Sequence, residues 1–538
     1  LSSPSSTTNN ASNSVAVGKT ALDAITTGSY NTAMGYDALT NQTTGNNNVA
    51  IGYQAAYRLS TGNYNIAIGD NTLAESGVSG DHNIIMGYSP GTSITSGNYN
   101  IAIGRESLIH TSTADHNLAI GYKALQYTGQ KISTTTDTIG IGREAGQYSA
   151  AAYNIWMGSF AGKGSSANAH SPGTSNIGIG YQSSVSFISG SYNVAVGGNT
   201  LYNNQHGEYN VAIGQGAGDH ATGSYNTFVG GYAGQGGTTS APFSSGQNNT
   251  AVGYWSLNKN SSGYDNTAVG WKALSATVSA VDNVSIGSNS LRVLTSGNSN
   301  VAVGAGAMAG TISATRNVAI GTDAMQSNQY GSSNTAVGYM ALVNNSGIYN
   351  VALGDGALKT NTSGGGNTGI GTSALFRTTT GNYNTAVGIN SNWNNTEGAN
   401  NVSMGLFSLK NNSTGSNNTA LGNYTLTNIN DGDNNVAVGI NAGDYLDGTG
   451  STKNTFIGTN ANTVSGTILS NATAIGANAI VTTSNTIQLG STSVTLVETS
   501  GTVSASAFVG DGSGLTNIGT NSIAADDNRN LSIGTSFE

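Results

Sequence analysis

Ser89 is the residue of this chain best placed to be read as a nucleophile, because Gly87-Tyr88-Ser89-Pro90-Gly91 fits the G-x-S-x-G elbow that exposes a serine hydroxyl. That elbow requires a strand-to-helix turn, and here the pattern straddles a corner of a short repeat, so a plain turn is expected. Gly214-Gln215-Gly216-Ala217-Gly218 and Gly510-Asp511-Gly512-Ser513-Gly514 have the glycine spacing of a phosphate cradle. Such cradles work by offering N–H groups at a helix N-terminus, and no helix is expected after either one. Asp431-Gly432-Asp433-Asn434-Asn435 opens like a calcium loop but lacks the later bidentate Glu. His82 and His116 share a phase two repeats apart with Tyr99 between them, which predicts a separation of about 9 to 10 Å, too far to share a zinc ion. The chain holds 25 Asp and Glu, and no pair recurs at matching phase in adjacent repeats, so no glycosidase dyad is nominated. These readings predict no catalysis, no metal and no cofactor.

Aromatic residues are the stronger signal. Tyr30, Tyr64, Tyr99, Tyr153, Tyr192, Tyr209, Tyr225, Tyr349 and Tyr383 each stand five residues before a recurrent glycine. Tyr192, Tyr209 and Tyr225 fall on consecutive repeats and are expected to stack, as a packing ladder at a corner or chain seam, or as a platform for sugar rings.

These residues are positioned by a repeat. The pattern Asn-x-Ala-Ile/Val-Gly closes on a glycine 28 times between Gly18 and Gly490, and 17 of the 27 intervals are 17 residues long. A fixed short period over this span means a stack of one unit, each touching mainly its neighbours. The residue before the closing glycine is aliphatic or Met in every copy, and the residue two earlier is most often Val, Ile or Thr. This period of two predicts a short strand with Ile51, Ile68, Ile103, Val252 and Val303 pointing inward. The residue between them is Ala in most copies but Trp156, Phe228 and Phe456 in three. A second apolar segment with Leu or Met four residues after the glycine follows, and another glycine stands seven before the next closing one. Two strands and two glycine corners in 17 residues predict an all-β parallel β-solenoid or β-roll, about 130 Å long at about 4.8 Å per coil. The Asn four before the closing glycine, present in 24 copies, is expected to form an amide ladder along the stack.

Composition narrows the setting. Charged residues are 8% of the chain, the net charge is -9 and no basic cluster occurs, which argues against a nucleic-acid partner. No apolar run is long enough to span a membrane, so no membrane insertion is expected, and the absence of cysteine leaves the redox compartment open. The chain opens on Leu1, which suggests a processed or truncated product. Three or four apolar side chains per coil, several of them Ala, form a thin core, so several chains are expected to wrap around a common axis.

Asn13-Ser14-Val15-Ala16-Val17-Gly18 resembles the head repeat of YadA-like trimeric autotransporter adhesins. Asn471-Ala472-Thr473-Ala474-Ile475-Gly476 and Asn485-Thr486-Ile487-Gln488-Leu489-Gly490 are similar and share that family's 14-residue spacing, whereas the copies between use 17 residues and shift Asn by one. The resemblance implies a left-handed parallel β-roll in a homotrimer. Residues 491–518 resemble shaft segments of phage tail fibres and bacterial surface fibres that carry a C-terminal intramolecular chaperone of the endosialidase type. No chaperone is evident before Glu538 and no anchor-barrel strands are seen, so a detached or virion-borne fibre is expected.

The chain therefore divides into an N-terminal tail (1–12), a repeat region (13–490) and a C-terminal shaft or connector (491–538). The expected function is an extracellular, cell-surface or virion fibre that attaches to a surface glycan or receptor and is not an enzyme. The alternatives are a purely structural filament or sheath subunit and a polysaccharide-degrading tail-spike. Three intervals run to 21, 22 and 23 residues (Gly121 to Gly142, Gly158 to Gly180, Gly230 to Gly253), and their surplus is expected to leave the rod as loops. Lys131, Lys163, His170 and Phe243 in those loops, with Tyr192, Tyr209 and Tyr225, are the candidate binding residues.

Overall fold

A computed structural model describes residues 12–74, 77–127, 136–164, 171–237, 244–447, 449–501 and 504. Over these residues the chain is an all-β parallel solenoid of about 27 turns, with about 17 residues per turn and no helix. Three-residue strands, from Val15–Val17 to Ile487–Leu489, join in one 28-stranded sheet. Each strand pairs in parallel with the strand one turn later at identical repeat phase, as in Val15↔Thr32, Ala16↔Ala33 and Val17↔Met34. A second sheet is confined to Asn462–Thr463 and Ile480–Val481.

Two features depart from expectation. The first is which strand face lies inside. Ile51 and Ile103 are 37% and 36% exposed and Ile68, Val252 and Val303 are half-buried, whereas Ala50, Ala67, Ala102, Ala251 and Ala302 are buried. The parity follows from Asn, which is buried at the position before the strand and therefore places its alternate neighbour, the central Ala, on the same side. The second is the apolar segment after the closing glycine. It forms turns and not a strand, with left-handed backbone at the second and fourth residues, as in Asp37 (φ 56°) and Leu39 (φ 51°) or Lys272 (φ 55°) and Leu274 (φ 50°). Those kinks aim Leu39, Leu125, Leu274 and Leu358 at the inward alanines, where all are buried. The closing glycine is required twice over: Gly287 has φ 137°, and a Cβ there would collide with the carbonyl oxygen of Gly304.

The Asn ladder is present along the stack and is interrupted by Thr138. Asn317 Nδ2 donates to Asn300 Oδ1 (3.2 Å) and to the Gly331 carbonyl (3.0 Å), while its backbone N–H also donates to Asn300 Oδ1 (3.1 Å). In most ladder members the amide oxygen so accepts two bonds from the next coil and the amide nitrogen closes the corner of the coil beyond; Asn334 and Asn350 accept only the backbone N–H, and Thr138 takes the ladder position after Asn117. The ladder holds its spacing across long intervals: Asn176 Nδ2 reaches Asn154 Oδ1 at 3.1 Å over 22 residues, and Asn249 reaches Asn226 at 3.2 Å over 23. The expected loop residues Lys131, His170 and Phe243 lie outside the described residues.

Core volume is conserved by exchange between the strand centre and the left-handed turn. Trp156 replaces the inward Ala and is fully buried, and a Cβ at Gly146 or Gly162, where most coils carry Leu or Met, would strike its indole. Gly178, at the centre of the next strand, also leaves room for the indole, while Gly140, at the centre of the strand before, makes room for Leu125. Phe228 is matched in the same way by Gly218 and Gly234.

Two outcomes test this packing. Asn300→Ala leaves the N–H and Nδ2–H of Asn317 without their acceptor, at roughly 1–3 kcal/mol for each orphaned group, so hydrogen exchange should accelerate in the coils on both sides of residue 300 while distant coils keep their protection. Trp156→Ala should cost about 3–5 kcal/mol locally, and adding Gly162→Leu should recover part of that loss although Gly162→Leu alone destabilises, a non-additivity read from the same exchange experiment on the two single variants and the double.

Candidate functional site

The corner residue five before each closing glycine is left-handed and outward, so aromatic side chains there stack along the rod. Tyr64, His82, Tyr99 and His116 follow one another at ring-centroid distances of 4.9, 4.8 and 5.2 Å, near-parallel throughout. This is the arrangement expected for His82 and His116, with Tyr99 between them. Tyr192, Tyr209 and Tyr225 stack at 4.8 and 5.3 Å with interplanar angles of 12° and 4°. Both faces of Tyr209 are thereby covered by its neighbours, leaving ring edges and hydroxyls outward. A sugar ring would need an open face, which Tyr209 lacks, so the middle of the stack serves packing better than it serves saccharide binding.

A second decorated strip follows the closing glycine. Arg105 lies over the rings of Tyr88 and Tyr122 (5.5 and 6.0 Å to the centroids), and Arg143 and Lys163 lie over Phe160 (5.0 and 5.2 Å). Acids alternate with these cations one position further on. Glu106 pairs with Arg105 (3.0 Å) and Lys123 (3.6 Å), and Glu144 pairs with Arg143 (3.4 Å) and Lys163 (2.7 Å). Lys163, a candidate binding residue, is therefore held against Glu144 and Phe160. Burial acts to raise the Glu144 carboxyl, but Lys163 and Arg143 outweigh it and hold it below the usual range. The aromatic column directly after the closing glycine (Tyr36, Tyr53, Tyr88, Tyr122, Tyr254, Trp271 and Tyr339) is legible in the sequence, whereas the interleaved cations and acids emerge only when the first and second positions are read together down successive coils.

The other chemical motifs are used by the fold. Ser89 sits in a turn with left-handed backbone and donates its N–H to the Asp70 carbonyl (2.9 Å). Gly216 and Gly218 are turn residues, the latter facing Phe228 in the core. Asp431 Oδ1 accepts from the Gly450 N–H (2.8 Å), Asp433 Oδ1 from the Ser416 N–H (2.7 Å), and Asn435 belongs to the buried ladder, so this segment's polar groups stitch coils together. Gly510 to Gly514 lie outside the described residues. Among the described residues no group of three or more His, Cys, Asp or Glu is gathered as a metal site, and no helix is long and apolar enough to cross a membrane.

The Glu144 cluster has a definite pH signature. Its folded carboxyl is more acidic than in the unfolded chain, so the cluster stabilises these coils above the ordinary carboxylate range and the contribution is lost as pH falls through the lowered folded value. Hydrogen exchange in coils 142–164 should rise on acidification in that window, and Glu144→Gln should remove that part of the pH dependence.

Compared with known protein families and with curated proteins, the chain matches none.

Proposed function

We propose that this chain is one subunit of a homotrimeric attachment fibre carried outside the cell or on a virion. The observation that carries the reading is the outer face of the long sheet. Both outward positions of every strand of the long sheet are aliphatic, Met or Thr, as in Val49 and Ile51, Ile101 and Ile103, Val284 and Ile286, or Val402 and Met404, and these side chains are half-buried or exposed along the whole stack. Two such rows of 28 leave on the order of 3,000 Å² of accessible, largely apolar surface on one flank of a single chain, within the range of obligate interfaces and far above the few hundred Å² usual for an exposed patch.

A second and third copy of the same chain are the fitting cover. The rows are uncharged and keep one phase from coil to coil, so they match another copy of themselves in parallel register. The resemblance of Asn13 to Gly18 to trimeric adhesin head repeats favours three chains over two. The aromatic and charged columns border the apolar flank, and in this reading the rod presents them to a surface glycan or receptor. The net charge of -9 and the lack of a basic strip favour such a partner over nucleic acid.

Sedimentation of the purified chain should give three times the chain mass at micromolar concentration. The double variant Ile286→Lys and Val303→Lys puts two charges at the centre of the seam without touching the inner core, and should give a smaller species that keeps its β-sheet circular dichroism. A wild-type chain that sediments as a stable folded monomer would overturn the trimer.

A further inference from the structure

The columns of side chains along the rod change in bulk from coil to coil, and after Trp271 both columns stay small over successive coils. In the column directly after the closing glycine stand Tyr254 and Trp271, then Ser288, Ala305 and Thr322, and then Tyr339; in the next column Trp255 and Lys272 give way to Asn289 and Gly306 before Asp323. The missing side chains leave a groove of about 570 Å³ along the rod, with Trp271, Lys272 and Arg292 at one end, Ala305 and Gly306 in the middle and Asp323 at the other. That volume is in the range of small-molecule sites.

The two ends differ chemically. Trp271 is 46% exposed, and the residue one coil onward in its column is Ser288, too small to cover the indole. The Lys272 ammonium lies 4.4 Å from the Trp271 ring centroid and 4.8 Å from that of Trp255. Arg292 is exposed, and among the described residues no carboxylate is within ion-pair distance of either cation. At the far end Asp323 leans across Gly306 (φ 68°), where any Cβ would collide with its Oδ1, and that oxygen accepts from Gln326 Nε2 at 2.8 Å.

We propose that this groove binds a short acidic oligosaccharide. The exposed indole of Trp271 would take the apolar face of a pyranose ring, which Tyr209, covered on both faces, cannot do. Lys272 and Arg292 pair with a sugar carboxylate, and Ser288, Asn289, Asp323 and Gln326 offer the mixed donors and acceptors that ring hydroxyls need. From the coil of Trp271 to that of Asp323 is three coil steps, about 14 Å, enough for a few linked rings. The proposal rests on the attachment reading for its biological role, but its chemistry is that of the groove alone.

The test is calorimetric titration of the full chain with tetragalacturonate, a hyaluronan tetrasaccharide and sialyllactose, against uncharged cellotetraose. At least one acidic sugar should bind tenfold or more tightly than cellotetraose. Trp271→Ala should weaken that binding at least tenfold, and Ala305→Tyr should abolish it by filling the groove. The second variant should fold, because Tyr254 and Tyr339 occupy the same column position on nearby coils. Absence of binding by all three acidic sugars, equal binding of cellotetraose, or unchanged binding by the Ala305→Tyr rod would each overturn the proposal. Adhesion of both rods to bacterial and animal cell surfaces, scored in parallel, separates the two readings. Adhesion that survives Ala305→Tyr overturns the role of the groove and leaves attachment standing, whereas saccharide binding by a rod that adheres to no surface overturns attachment and leaves the groove.

Discussion

The buried asparagine amide is the constraint on which the rest of this structure depends. It has two donors and two acceptor sites, and in a ladder member such as Asn317 or Asn418 all are used: Nδ2 donates once to the coil before and once to a corner carbonyl, Oδ1 accepts two bonds from the coil after, and the backbone N–H adds a further bond to the coil before. A buried amide left partly bonded is costly, so every coil must bring its asparagine to the same height and the same depth. The strand begins at the next residue, which places strand, closing glycine and turn in fixed phase. Intervals of 22 and 23 residues obey the same rule, because Asn154 and Asn176, or Asn226 and Asn249, still meet at ladder distance.

Around that ladder the interior is narrow, and its packing is an exchange of volume at constant total. Where the strand centre carries Ala, the left-handed turn most often supplies Leu or Met; where it carries Trp156 or Phe228 the facing turns supply glycine on both sides, and Phe456 faces Gly443. Close-packed interiors tolerate such swaps because total volume and shape are retained. The stack is therefore less repetitive in sequence than in shape.

The same parity that hides alanine turns the larger aliphatic residues outward. An isolated chain would leave an apolar flank along its whole length, and this property points to assembly more strongly than any single motif does. The remaining flanks vary from coil to coil. A tyrosine stack, an alternating cation, ring and acid strip, and a groove where side chains are missing all sit on one scaffold, which is how a repeat fold acquires distinct surface chemistry without changing its backbone.

By itself the sequence determined the period, the parallel stacking, the position of the strand, the amide ladder and the spacing of His82, Tyr99 and His116, because each depends on identical residues recurring at one phase. Only the tertiary structure decided which strand face is inside. Val, Ile and Met look more like core than Ala does, but a coil this narrow has room for a methyl opposite Leu274 or Leu358 and none for a second branched side chain. It also replaced the second expected strand with a turn, since left-handed residues such as Lys272 and Leu274 carry no local sequence mark comparable to glycine. The groove beside Trp271 was illegible for a related reason. It is made by the smallness of Ser288, Ala305 and Gly306 on successive coils, and an absence of side chains becomes a site only when stacking sets those positions side by side.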